Sequence, residues 1–119
     1  MGRLEEALRE VNRARDLDPL SLNINTSVGW MLHMARRYDQ AIQQYRRTLE
    51  IDPNFVWAHW RLGNTYLQES MFDQGIAELQ IAVTLSGNSP AAVGALASAY
   101  AVSGRRAEAE KLLNDLTQL

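Results

Sequence analysis

Residues 56–89 of this chain copy the 34 residues before them, and that copy restricts the possible folds more than any other feature. The stretch carries Leu62-Gly63-Asn64-Thr65-Tyr66, then Phe72-Asp73-Gln74, Ala77, Leu79 and Ala82. Shifted back by 34 positions, Leu62 falls on Val28, Gly63 on Gly29, Phe72 on Tyr38, Asp73 on Asp39 and Gln74 on Gln40. Shifted forward by 34, Leu62 falls on Leu96, Gly63 on Ala97, Tyr66 on Tyr100 and Gly75 on Ala109. Self-similarity at one fixed period marks a stacked repeat architecture. A single unit of this size cannot bury its own apolar face, so each must lean on its neighbours.

The units read as helices. Leu4, Ala7, Leu8, Val11, Ala14 and Leu17 recur every three or four residues, one apolar stripe on a helix over residues 3–17. Asp18-Pro19 stops it, because the residue before a proline is pushed out of the α region. Ser21 is the expected cap of a helix reaching about Ala35. Arg36-Arg37 form a turn, and Tyr38 opens a helix with Ala41, Ile42, Tyr45 and Leu49 on one side, closed by Asp52-Pro53. Residues 56–69 and 72–85 form the next pair around Ser70-Met71. Gly87 closes that pair in a left-handed conformation. Ser89-Pro90 starts a helix to about Val102. Ser103-Gly104 turn the chain into a last helix from Arg105 to about Thr117. The expectation is seven helices and no strand, since no segment sustains a period-two alternation.

Composition narrows the class. At 119 residues, with 46% hydrophobic and 22% charged residues, the chain reads as one globular unit. It has no cysteine, which rules out disulfides and thiolate metal sites and leads us to expect a reducing, cytoplasmic setting. A net charge of -2 gives no electrostatic case for nucleic acid or an anionic membrane. The longest weakly polar run, residues 91–102, falls short of the roughly 20 residues that span a bilayer. Charges at Arg3, Glu5 and Glu6 argue against a secretory leader, and Glu6 stands where a myristoylation signal wants a hydroxyl.

On these residues the chain resembles the tetratricopeptide repeat family, 34-residue helix-turn-helix units stacked into a right-handed superhelix. The family pattern asks for a large and then a small residue in the first helix, as in Val28-Gly29, Leu62-Gly63 and Leu96-Ala97. An aromatic follows at Tyr66 and Tyr100, with Leu32 in its place one repeat earlier. The second helix supplies small residues at Ala7, Ala41, Gly75 and Ala109, and bulky ones at Val11, Tyr45, Leu79 and Leu113. A further small residue is met by Ala14 and Ala82, with Thr48 tolerable and Leu116 a departure. The resemblance implies an all-α solenoid divided at residues 1–21, 22–55, 56–89 and 90–119, the first unit being a second helix alone. Met1 falls about fourteen residues into a repeat, so a piece of a longer protein is expected. Residues 101–109 resemble arrays in the tails of bacterial regulators and kinases. Leu112, Leu113, Leu116 and Leu119 form an apolar stripe, and self-association through residues 4–17 or 112–119 is expected from it.

Catalytic chemistry has little to stand on. No metalloprotease, phosphate-loop, nucleophile-elbow or dinucleotide motif occurs, so neither an enzyme nor a cofactor is expected. His59 reads as a packing residue and His33 as a groove contact. The doublets Arg36-Arg37, Arg46-Arg47 and Arg105-Arg106 read as solvated charge.

The resemblance places the first helix of each unit on the concave face. The stripe opposite the core then carries Asn23, Thr26, Trp30 and His33, next Trp57, Trp60, Arg61, Asn64 and Gln68, and finally Ser98 among alanines and Gly94. Tryptophans would stand at one end of the groove and small side chains at the other, and the tryptophans would either face a ligand or pack on each other or on the missing first helix of the first unit. Arrays that hold a carboxylate at the end of chaperones use lysines in this groove, but the sole lysine here is Lys111. A related RNA-binding family has 35-residue repeats and a basic groove, unlike this chain. Two readings stay open: a scaffold that binds a peptide or protein segment, and a regulatory or oligomerisation segment of a larger bacterial signalling enzyme or transcription regulator.

Overall fold

In a computed structural model, which describes residues 2–117 and side chains to residue 115, the chain is a row of antiparallel helix pairs. The elements are α1 (Gly2–Leu17), α2 (Leu22–Met34), α3 (Tyr38–Ile51), α4 (Val56–Gln68), α5 (Phe72–Leu85), α6 (Pro90–Val102) and α7 (Arg106–Thr117). Among the described residues these seven helices are the only regular elements, and no strand occurs. Each helix packs chiefly on the one before and the one after it. The row is accordingly long: its radius of gyration is 15.3 Å, against about 13.5 Å for a compact chain of this length.

Local chemistry sets the boundaries. Ser21 Oγ accepts from the Ile24 N–H at 3.2 Å, and Ser89 Oγ does the same for Ala92 at 3.2 Å, with Pro90 in the first turn. The turns inside the three pairs share one device at the repeat spacing. Arg36, Ser70 and Gly104 take φ of 61°, 58° and 84°. In each turn the following N–H reaches back to Leu32, Tyr66 or Tyr100, closing the helix with a Schellman bond. Gly87 ends α5 in the same left-handed region, as its position suggests (φ 67°). Nothing in the residue types of Arg36 and Ser70 announces this conformation, because side chains there are uncommon.

Packing explains the small residues. A Cβ on Gly29 would sit 2.5 Å from the Tyr45 ring, and one on Gly63 would meet Leu79 at 2.9 Å and the Gly75 carbonyl at 3.1 Å. Tyr45 and Leu79 therefore fill space that a side chain on the facing helix would occupy. Ala41, Ile42, Tyr45, Leu62 and Tyr66 form one core cluster. Ile76, Leu79, Leu96 and Ala99 form the next, with Trp60, Leu67 and Leu112 against it. Leu113 departs from expectation: it stands on the core stripe by register, yet it is exposed and Leu112 packs inward instead. No described helix covers that side of α7. The side chains of Leu116 and Leu119 lie outside the described residues.

Candidate functional site

The first helices of the pairs, α2, α4 and α6, share one face of the row, where residues of all three line a single hollow. Besides its sequence neighbours α2 touches α4, whereas no contact of that extent joins α1 to α3 or α3 to α5. No contact of that extent joins α4 to α6 either, so this direct approach of first helices is confined to α2 and α4. The outward stripe of the first helices forms two adjoining hollows of about 570 Å³ and about 300 Å³, which share Trp30 and Arg61.

A stack of rings and one cation divides them. The Arg61 guanidinium lies 4.1 Å from the centre of the Trp30 ring. Trp30 in turn stacks on His33 at 5.4 Å and 16°, and the Tyr38 ring meets His33 edge-on at 5.2 Å. Thr65 Oγ1 donates to the Arg61 carbonyl at 2.9 Å and lies 2.8 Å from His33 Nδ1. The hydroxyl has one proton, and with that proton on the carbonyl a neutral His33 carries its hydrogen on Nδ1. Burial, and secondarily the Arg61 charge, holds the His33 pKa below its ordinary value and so favours this neutral ring. Among the described residues Arg61 is the only formally charged one lining either hollow.

Each residue expected in the groove can now be placed. The larger hollow is lined by Trp30, His33, Trp60, Arg61, Asn64, Gln68 and Ser98. Asn23, Thr26 and Trp57 line the smaller one. Thr26 offers least, since it is buried and its hydroxyl donates to Leu22 O at 2.7 Å. The two neighbouring tryptophans stack on each other at 5.8 Å and 22°, but their surroundings differ. Trp57 is 57% exposed, while Trp60 is half-buried against the Ile76, Leu79, Leu96 and Ala99 cluster. The two tryptophans thus do pack on each other, with Trp60 backed by the core and Trp57 exposed beyond it.

Phe72 and Phe55 also line the hollows, and sequence reasoning missed both. Phe72 was visible as the register partner of Tyr38, the ring that meets His33; an aromatic opening a second helix is returned by the turn beneath the end of the first. His59, expected in the core, is 7% exposed. Its Nδ1 lies 2.6 Å from Glu78 Oε2 and its Nε2 2.7 Å from the Pro53 carbonyl, which ties α4 to α5 and to the preceding turn. Among the described residues no cluster of ligands could hold a metal, and no helix is long and apolar enough to cross a membrane.

Helix pairs turned by a repeated left-handed residue and joined through small residues define a class, and comparison with known proteins gives it a name. The family pattern described as "TPR repeat" matches residues 36–70, and that described as "Tetratricopeptide repeat" matches residues 61–119. This chain belongs to the tetratricopeptide repeat family. Among curated proteins nothing matches significantly. Similar solved structures include "MamA 41-end from Desulfovibrio magneticus RS-1", with a TM-score of 0.86 at 19% identity over 99% of this chain and 67% of that one. "Crystal structure of MamA" has a TM-score of 0.85 at 20% identity over 97% and 67% of the two chains. "MamA MSR-1 C2" has 0.78 at 24% over 98% and 69%. At these identities the likeness speaks for the fold, a helical solenoid.

Proposed function

We propose that the concave face of this protein-interaction scaffold binds a peptide or protein segment, and that the chain does no catalysis of its own. The observation that carries the reading is Trp57, a large apolar ring more than half exposed on this face and held in position by its stack on Trp60. Aromatic anchors dominate the energetics of many interfaces because their large area is rigid. Asn23 stands exposed beside it in the smaller hollow, and Asn64 and Gln68 stand exposed along the larger one, with donors and acceptors for a peptide backbone. Ala95 and Ser98 leave room for the bulk of the ligand on the far wall. Affinity is expected on the order of micromolar, because a short groove buries limited area and the segment must be ordered.

The test is to select peptides from a random displayed library against the wild-type chain and measure their affinities by calorimetry. Trp57→Ala should weaken the selected peptides about tenfold or more, a loss on the scale of interface anchors, with the helical signal and melting midpoint nearly unchanged. Trp60→Ala is not a clean probe, since it also opens the core. Peptides that bind Trp57→Ala and Arg61→Ala as tightly as wild type would refute the groove.

A further inference from the structure

On the opposite side of the row, α1 and α3 enclose a cleft of about 370 Å³ whose charge does not match that of the chain. Arg9 and Arg15 reach it from α1, Arg37 from the cap of α3 and Arg47 from within α3, and among the described residues Glu5 is the only carboxylate in its lining. Four guanidinium groups against one carboxylate give the lining a charge of +3, whereas the whole chain carries -2. Arg37 pairs with Glu5 at 2.7 Å, and Arg15 donates to Gln44 Oε1 at 2.7 Å. Among the described residues Arg9 and Arg47 have no ion pair or side-chain hydrogen bond. Both are exposed, and so are the amides of Gln40 and Gln43 beside them.

Only the Arg37–Glu5 pair recurs with the repeat, two units on, as Arg105 and Asp73; Arg9, Arg15 and Arg47 have no such counterpart. Advanced by 34 positions, Arg9, Arg15, Arg37 and Arg47 become Gln43, Leu49, Met71 and Ile81, so the equivalent site between α3 and α5 loses every charge of the set. The fold forms there without them. All three arginine doublets are exposed, as expected of solvated charge, but the members of one part company: Arg46 donates to the Tyr66 hydroxyl, while Arg47 lines the cleft.

We propose that this cleft binds a phosphate group carried by a phosphoserine or phosphothreonine of a partner protein. A phosphomonoester brings nearly two negative charges and three strong acceptor oxygens. The two free guanidinium forks and the flanking amides offer more donors than the two oxygens of one carboxylate can take, and arginine forks match phosphate geometry. The lining contains no aromatic ring on which a nucleotide base could stack. Glu6, Glu10 and Asp16 stand exposed on α1 outside the cleft, so an approaching anionic bilayer would meet carboxylates as well as arginines, whereas one protruding side chain enters between them.

Binding is measured by NMR titration with a glycine-serine peptide bearing one phosphoserine, its unphosphorylated form, inorganic phosphate, and phosphatidylserine vesicles. The phosphopeptide should shift amides of α1 and α3 and weaken with added salt. Arg9→Gln with Arg47→Gln, both at exposed positions, should reduce affinity more than tenfold. Arg106→Gln, at the far end of the row, and Trp57→Ala, in the groove, should leave it unchanged. The proposal is overturned if the double variant, with its helical signal intact, binds as wild type does. It is equally overturned if the unphosphorylated peptide binds as well, or if only inorganic phosphate or vesicles bind.

Discussion

The two sides of the first helices obey different rules. On the core side of α2, α4 and α6, positions 34 apart carry Val28, Leu62 and Leu96, then Gly29, Gly63 and Ala97. On the groove side the same spacing runs Asn23, Trp57, Ala91, then Thr26, Trp60, Gly94, then Trp30, Asn64, Ser98. The core side repeats because each helix must meet the same neighbour, at the same distance, three times over. Gly63 lies against Leu79 and the Gly75 carbonyl, and nothing larger fits. The groove side meets solvent and so carries no such obligation. A position that varies while its neighbour repeats is free to serve a ligand, which is why the scaffold role and the ligand role can be told apart along one helix.

The sharpest way to break that contrast is to substitute both sides of one turn of α4. Gly63→Leu should destabilise the chain by about 3 kcal/mol, at the upper end of the cost of overpacking. Asn64→Ala, one residue away but exposed, should change stability by less than about 0.5 kcal/mol. Urea denaturation of both variants measures the difference. Equal midpoints would mean that the two sides are not distinct and that the repeat register is misplaced.

Legibility followed the same division. The helix limits could be read because caps and stops are local: Ser21, Ser89 and Pro90 act within one turn of the chain. The core stripe could be read because it recurs. The groove list was legible as a stripe but not as an environment. Trp57 and Trp60 are three residues apart on one helix, and only the placement of α5 and α6 makes one an exposed ring and the other part of the core flank. Leu113 misled for the converse reason, since register predicts burial only where another helix covers it. Left-handed Arg36 and Ser70 could not be foreseen from residue type, and the arginine cleft joins residues of α1 and α3 that no linear motif connects.

The histidines offer a subtler test, because one lies on each side. His59 is clamped in the core between Glu78 and the Pro53 carbonyl, while His33 stacks in the groove on Trp30. His33 binds a proton more weakly in the folded chain than in the unfolded one, owing to burial and then to Arg61. Its contribution to stability is therefore complete above the unfolded value of roughly 6.5 and declines as the pH falls below it. Denaturation midpoints taken between neutral and mildly acidic pH should fall more steeply for wild type than for His33→Gln. His59 is present in both and cancels from the difference. Parallel curves would show that the groove ring is not tuned by its neighbours.

The smallest expected effect puts the same chemical change on each side. A Cβ added to Gly94, on the groove side of α6, would meet nothing within 4 Å, whereas one added to Gly63 would crowd Leu79 at 2.9 Å. Gly94 takes no left-handed conformation, so alanine fits its backbone without strain. Replacing glycine by alanine inside a helix restricts the unfolded chain and stabilises the fold by about 0.5–1 kcal/mol where space allows. Gly94→Ala should therefore raise the melting midpoint and Gly63→Ala should lower it. Opposite signs for one substitution, measured by thermal unfolding, would locate the difference in the neighbours rather than in glycine itself. Matching signs would remove the distinction between the two sides.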